Sequence, residues 1–125
     1  IIIGVGRGGS IIAGFLAGNL GFIPLSHLDT EISNNFGERS AVIRFELDIP
    51  VMQKKVLLVV GELYSGLDLK IAREYIINKQ PKEIKTLSLF TQPTSIVQPD
   101  FYGIRTKHPV SAPWRISSTY KTGRL

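Results

Sequence analysis

The chain opens on Ile1-Ile2-Ile3-Gly4-Val5, a continuous β-branched run of the kind that forms a strand buried on both faces. Gly6-Arg7-Gly8-Gly9 then reads as a tight turn, and Ser10 as the N-cap of a helix running to about Leu20, with Gly21 ending it. Phe22 to Leu28 predicts a second strand. Asp29 to Arg39 is polar, carries Asn34, Asn35 and Gly37, and predicts a mobile loop; Ala41 to Leu47 alternates and predicts a strand beside it. Asp48-Ile49-Pro50 turns the chain. Lys55 to Val60 predicts a second buried strand, and Ser65-Gly66 a turn after it. From Asp68 to Lys79 the spacing predicts an amphipathic helix, with Ile71, Ala72, Tyr75 and Ile76 on one face and Lys70, Arg73, Glu74 and Lys79 on the other. Pro81 closes it, and Ile84 to Phe90 predicts a further strand. Beyond Thr91 the prolines at 93, 99, 109 and 113 predict irregular chain with short extended pieces.

Strands that alternate with helices predict an α/β fold, a mostly parallel sheet flanked by helices with right-handed crossovers. In such sheets ligands bind beyond the carboxyl ends of the strands. Both glycine turns, 6–9 and 61–66, fall at those ends, so the pattern alone predicts one shared cleft.

Composition narrows the chemistry. The 125 residues fit one domain, and the absence of cysteine excludes disulfides and thiolate chemistry. The chain begins on Ile1 inside a strand, which reads as a fragment lacking structure upstream. Fifteen Lys and Arg against ten Asp and Glu give a net charge of +5, which favours anionic partners by long-range attraction. The bases are scattered, except for a tail from Arg115 to Arg124 in which Lys121 and Arg124 follow Tyr120. Neither a basic helix nor an RNA-binding aromatic pattern is present, so nucleic acid is unsupported. The apolar stretch from Ser10 to Leu25 is broken by Gly14, Gly18, Asn19 and Gly21 and is short for a membrane span. The expected location is cytoplasmic.

Gly4-Val5-Gly6-Arg7-Gly8-Gly9 matches G-x-G-x-x-G between a strand and a helix, and Asp29 stands 20 residues after Gly9. A small dinucleotide-binding domain would use Gly4, Gly6, Gly9 and Asp29 in this way. A plain strand–helix turn, or an anion site built around Arg7, would also fit. His27 and His108 have no metal-ligand spacing with other candidate ligands, and no metal site is expected from the residues. Ser10, Ser65 and Ser88 have no partner legible in sequence.

Other parts of the chain point elsewhere. A hydrophobic strand followed by Arg7-Gly8-Gly9, then Val56-Leu57-Leu58-Val59 leading to Ser65-Gly66 and a helix, resembles the type I phosphoribosyltransferases. Pro99-Asp100-Phe101-Tyr102-Gly103 and Pro113-Trp114 resemble the C-terminal segment of the 6-oxopurine branch, the xanthine–guanine and hypoxanthine enzymes. The resemblance covers nearly the whole chain in the right order. It implies that Gly6, Arg7, Gly8 and Gly9 bind the pyrophosphate of phosphoribosyl pyrophosphate (PRPP), and that a mobile catalytic loop spans roughly Thr30 to Arg39. It implies a phosphate loop at Ser65, Gly66 and position 68, and a hood contributing Tyr102 and Trp114.

The second loop departs from the family pattern. The two acids that would hold the ribose hydroxyls and Mg²⁺ are replaced by Val60 and Gly61. The acid before the hydroxyl–glycine pair is Tyr64, and the phosphate-binding threonine is Asp68. Glu62 is one residue out of register with the lost acids, so strand alternation would aim it at the other face unless a bulge intervened. The residue after Pro113-Trp114, acidic in the family, is Arg115. Two functional readings stand. In the first, the PRPP motif is degenerate, transfer is lost or altered, and the domain binds a phosphate, pyrophosphate, nucleotide or protein partner, or a second copy of itself. In the second, the chain is an active purine phosphoribosyltransferase, a glycosyltransferase with PRPP and Mg²⁺, in which Glu62 and Tyr64 are catalytic.

Overall fold

The computed structural model describes residues 1–114, and the basic tail with Arg115 lies outside the described residues. Among the described residues nine elements follow one another: β1 (Ile2–Val5), α1 (Gly6–Asn19), β2 (Leu25–Leu28), β3 (Thr30–Asn35), β4 (Glu38–Ile43), β5 (Lys55–Leu63), α2 (Leu67–Ile77), β6 (Glu83–Thr91) and β7 (Phe101–Arg105). Five strands form one sheet in the order β2-β1-β5-β6-β7, and every neighbouring pair is parallel. The α/β architecture with a parallel sheet flanked by helices is therefore as the pattern predicts.

The order contains one reversal. From β1 the chain crosses outward to β2 through α1, and from β5 it crosses the other way to β6 through α2. Right-handed crossovers in opposite directions put the two helices on opposite faces. The cores agree. Ile2, Ala13, Ala17 and Val59 pack together under α1, while Ile3, Val5, Val56, Leu58, Val60, Leu69, Ala72 and Ile76 pack under α2. Strand β5 supplies both cores by alternation, which is why its stretch from Val56 to Val60 is apolar. The crevice between β1 and β5 is the topological switch point, where an open parallel sheet takes its ligand.

Four expectations need correction. Ser10 is not an N-cap: α1 begins at Gly6, so the glycine turn is itself the first turn of the helix. Ser10 Oγ instead donates to Gly6 O at 2.7 Å. The polar stretch after Asp29 is an antiparallel hairpin, with Asn35 opposite Glu38 and a two-residue turn at Phe36-Gly37. Both turn residues have positive φ, 53° and 83°, the geometry that suits a tight hairpin. Strand β2 starts at Leu25 rather than Phe22, whose φ is 57° and which is followed closely by Pro24. Finally, β5 continues through Gly61 and Glu62 to Leu63 instead of ending at Val60.

Candidate anion cleft at the switch point

An open cleft of about 430 Å³ lies at the carboxyl ends of β1 and β5, lined by Val5, Gly6, Arg7, Gly8, Gly9, Gly61, Glu62, Asp68 and Trp114. The first glycine turn meets the end of β5 there, at Gly61 and Glu62, but the Ser65-Gly66 part of the second turn is not in the lining.

On the β1 side the first turn of α1 forms the wall. Its N-cap, Val5, makes no side-chain capping bond, and the first turn carries no acid. The first amides of a helix have no intrahelical acceptor, and the helix dipole adds partial positive charge there. Together with the exposed Arg7 guanidinium this wall is suited to an anion. The glycines have distinct reasons. Gly6 sits at φ 69°, where a side chain would be strained. An added Cβ at Gly9 would stand 2.1 Å from Val59 O, so α1 can lie directly on β5 only with glycine at this position.

On the β5 side, pairing with β6 keeps one offset from Lys55↔Glu83 to Val60↔Ser88 and again at Glu62↔Phe90 and Leu63↔Thr91, so no residue is inserted in one strand alone. Val60 points into the α2 core and is 1% exposed. Gly61 lies on the opposite face, under Trp114. Glu62 returns to the face of Val60, yet at the strand end that face opens into the cleft, and its largely buried side chain forms part of the wall. Asp68, in the first turn of α2, completes that side, and its Oδ1 accepts from Leu69 N at 2.9 Å. Among the described residues the cleft thus carries the Arg7 guanidinium and helix amides on one wall and the Glu62 and Asp68 carboxylates on the other.

Other expected site residues are placed elsewhere. Tyr64 Oη accepts from Val110 N at 3.2 Å and lies 3.4 Å from Val110 O, to which it donates. It clasps the C-terminal segment and is outside the cleft lining. Ser65 Oγ accepts from Leu67 N at 3.3 Å, and Ser65 O accepts from Ile96 N at 3.0 Å. Gly66 has φ 86° and packs against Ser95, where an added Cβ would come 2.4 Å from Oγ. This turn is therefore bound to the 92–97 segment and caps α2 rather than facing the cleft. Tyr102 is on edge strand β7, half exposed, with the Arg105 guanidinium 4.7 Å from its ring centre. Of the two hood candidates, only Trp114 lines the cleft.

The residue that the sequence reading missed as a positive feature is Gly61. It read as a lost acid. In the structure it is the seat of the Trp114 indole: an added Cβ would stand 2.9 Å from Trp114 Cζ2 and 3.1 Å from Cε2. Gly8 is in the same position, with its added Cβ 2.6 Å from Trp114 Nε1. Carbon atoms in good contact stand about 3.5–4.0 Å apart, so the indole needs glycine at both positions.

Positions 60 and 61 offer no side-chain oxygen, and among the described residues no three His, Cys, Asp or Glu side chains gather to hold a metal. The Asp29 proposed for a ribose contact is paired with Arg44 at 3.4 Å in front of the hairpin, away from the cleft lining. Ser10 does touch a histidine, His27 Nδ1. Its hydroxyl donates to Gly6 O at 2.7 Å, so the proton is held by a backbone carbonyl and the pair is not set up as a nucleophile with its base. No helix among the described residues is long and apolar enough to cross a membrane.

No family model and no curated protein matches the chain. Solved structures do. A purine phosphoribosyltransferase from Pyrococcus horikoshii Ot3 is 33% identical, superposes with a TM-score of 0.85, and aligns over 93% of this chain and 76% of its own. A hypoxanthine phosphoribosyltransferase from Staphylococcus aureus, 18% identical, shares the fold at a TM-score of 0.70. A hypoxanthine-guanine phosphoribosyltransferase from Bacillus anthracis, 20% identical, does so at 0.63. The chain spans 60% and 63% of the length of these last two. The parallel sheet with its switch-point cleft, the Arg7-Gly8-Gly9 turn at the β1 end, and one-third identity to a full-fold relative agree: the chain belongs to the type I phosphoribosyltransferase family.

Proposed function

We propose that this chain is a phosphoribosyltransferase-family domain that binds a phosphate-type anion at Gly6, Arg7, Gly8 and Gly9, with PRPP–Mg²⁺ transfer lost or altered. One observation carries the reading. At the carboxyl end of β5, where the family resemblance implies two acids, Val60 is buried in the core and Gly61 is covered by an indole. Neither can accept from a ribose hydroxyl or draw in Mg²⁺.

The other substitutions agree. Asp68 stands where the resemblance implies a phosphate-binding threonine, and it lines the cleft. A carboxylate about 4 Å from a phosphate costs about 1 kcal/mol at water-like dielectric and several times that in a drier cleft. Tyr64 is committed to the chain at Val110. The glycine wall, by contrast, keeps its donors. The anion expected is a phosphate, a pyrophosphate or a nucleotide.

The test is a titration of inorganic phosphate and pyrophosphate into the protein and into Arg7→Ala. Loss of a charge-assisted contact should weaken binding by about tenfold. Equal binding by both proteins would refute the site.

A second reading has its own observation. Glu62 is in the cleft wall after all, opposite Arg7. In an active enzyme acting on a purine, Glu62 would be the β5 carboxylate able to engage the ribose or Mg²⁺, since Mg²⁺ is often held by one or two carboxylates plus substrate phosphates. Turnover of PRPP with a purine, abolished by Glu62→Ala, would establish that reading in place of the first.

A further inference from the structure

The geometry points to Trp114 as the residue that sets the metal requirement of this cleft: its indole takes the space that a metal-binding side chain at position 61 would need, leaving a cleft that holds a phosphate-type anion without a divalent cation. This inference rests on the anion-binding reading above.

The indole is seated by three independent features. It lies across Gly8 and Gly61, touching both walls of the cleft, as the distances to their missing Cβ atoms show. Behind it, the Phe90 ring is 6.5 Å away, centre to centre, tilted by 36°. The strap that carries it is tied down at Val110 by the Tyr64 hydroxyl and at Ala112, which is 3% exposed. Three positions that depart from or belong to the family pattern therefore form one unit. Glycine at 61 makes room for the ring, tyrosine at 64 holds its strap, and the ring covers the strand end.

The chemical consequence is a change of character. A carboxylate at 61 would face the anion and require a cation between them. An indole there is uncharged and contributes no oxygen ligand. An anion on the helix amides and Arg7 then meets no carboxylate from position 61, and the remaining acids, Glu62 and Asp68, lie on the α2 side of the cleft. The apolar groove of Ile11, Ile12, Phe15, Leu89 and Pro113 on the other edge of Trp114 gives the ring a second apolar contact surface.

Trp114 is the only tryptophan, so its emission reports the site directly. The wild-type chain is titrated with inorganic pyrophosphate in EDTA and again in Mg²⁺, followed by emission and by calorimetry. The expected result is saturable binding that is at least as tight in EDTA as in Mg²⁺. Binding about tenfold tighter in Mg²⁺ would overturn the assignment. Gly61→Asp is expected to displace the ring, with a red-shifted emission, and to lower stability. In Gly61→Asp/Trp114→Ala stability should recover in part, and pyrophosphate binding should become Mg²⁺-dependent. A folded Gly61→Asp protein with wild-type emission, or a folded double variant that still binds without metal as the wild type does, would show that Trp114 does not set the requirement. Failure of the wild type to bind pyrophosphate in either buffer has a different meaning: it removes the anion site itself.

Discussion

Trp114 and Gly61 are complementary: the indole of one rests where the side chain of the other would begin, 2.9 Å from the position of the missing Cβ. Family resemblance alone presents Gly61 as a deletion of chemistry. The contact shows that it is also a packing residue, the seat of the indole.

The strap that holds this ring should be sensitive to one hydroxyl. Tyr64→Phe removes the exchange with the backbone of Val110 while keeping the ring. A loss of about 1–2 kcal/mol is expected, since a part-buried amide and carbonyl lose their partner. Urea unfolding gives the energy, and the emission of Trp114 should shift red as its strap loosens. An unchanged spectrum and midpoint would mean the clasp is unimportant.

The approach of α1 to β5 gives a second, larger effect. Gly9→Ala would place a methyl against Val59 O at 2.1 Å, and a backbone carbonyl cannot rotate away. The helix must lift off the sheet, an overpacking cost of about 3 kcal/mol or more. The expected measurement is a strongly lowered urea midpoint or failure to fold. Gly14→Ala serves as the control, because an added Cβ there meets nothing within 4 Å and alanine favours helix.

Asp68 is expected to act in two directions. Its Oδ1 accepts from Leu69 N, and its charge favours the N-terminus of α2. Asp68→Asn should therefore cost about 0.5 kcal/mol of stability. The same change removes a repulsive charge from the cleft, so phosphate should bind about fivefold more tightly, roughly the 1 kcal/mol of a pair at water-like dielectric. Parallel denaturation and phosphate titration check both signs.

The edge strand depends on a bracket outside the cleft. Asp100 Oδ2 accepts from Thr86 N at 2.8 Å and from Thr86 Oγ1 at 3.0 Å, and Asp100 N donates back to Thr86 Oγ1. Asp100→Ala leaves a buried amide and hydroxyl unpaired, at about 2–3 kcal/mol. Amide exchange in β7 should rise more than in β5 if the bracket is what docks that strand.

Much of this was readable in the residues. The β-branched run at the N-terminus and the apolar run of β5 gave buried parallel strands because both faces of each are covered. The amphipathic spacing after Asp68 gave α2 to within two residues. The hairpin was not legible, because Phe36 takes a positive φ that phenylalanine seldom adopts, and its strands are polar on a half-exposed surface. The start of α1 was missed because glycines suggest a turn, whereas here the tertiary contact of Gly9 with Val59 fixes a helix. At the site, alternation was expected to aim Glu62 away from the cleft, whereas the residue lines the cleft wall beside Gly61. Alternation could not show that both line one cleft, since the cleft sits across the strand end. Nor could it place the Tyr64 hydroxyl on Val110, a contact 46 residues away in sequence.

The central claim is that the end of β5 no longer serves PRPP with Mg²⁺. Calorimetric titration of PRPP, with and without Mg²⁺, into folded full-length protein tests it most directly. The account predicts no detectable heat of PRPP–Mg²⁺ binding up to about millimolar ligand, an affinity weaker than about −4 kcal/mol. Tight binding near micromolar that requires Mg²⁺ would contradict it, and would make Glu62 the acid of an active enzyme.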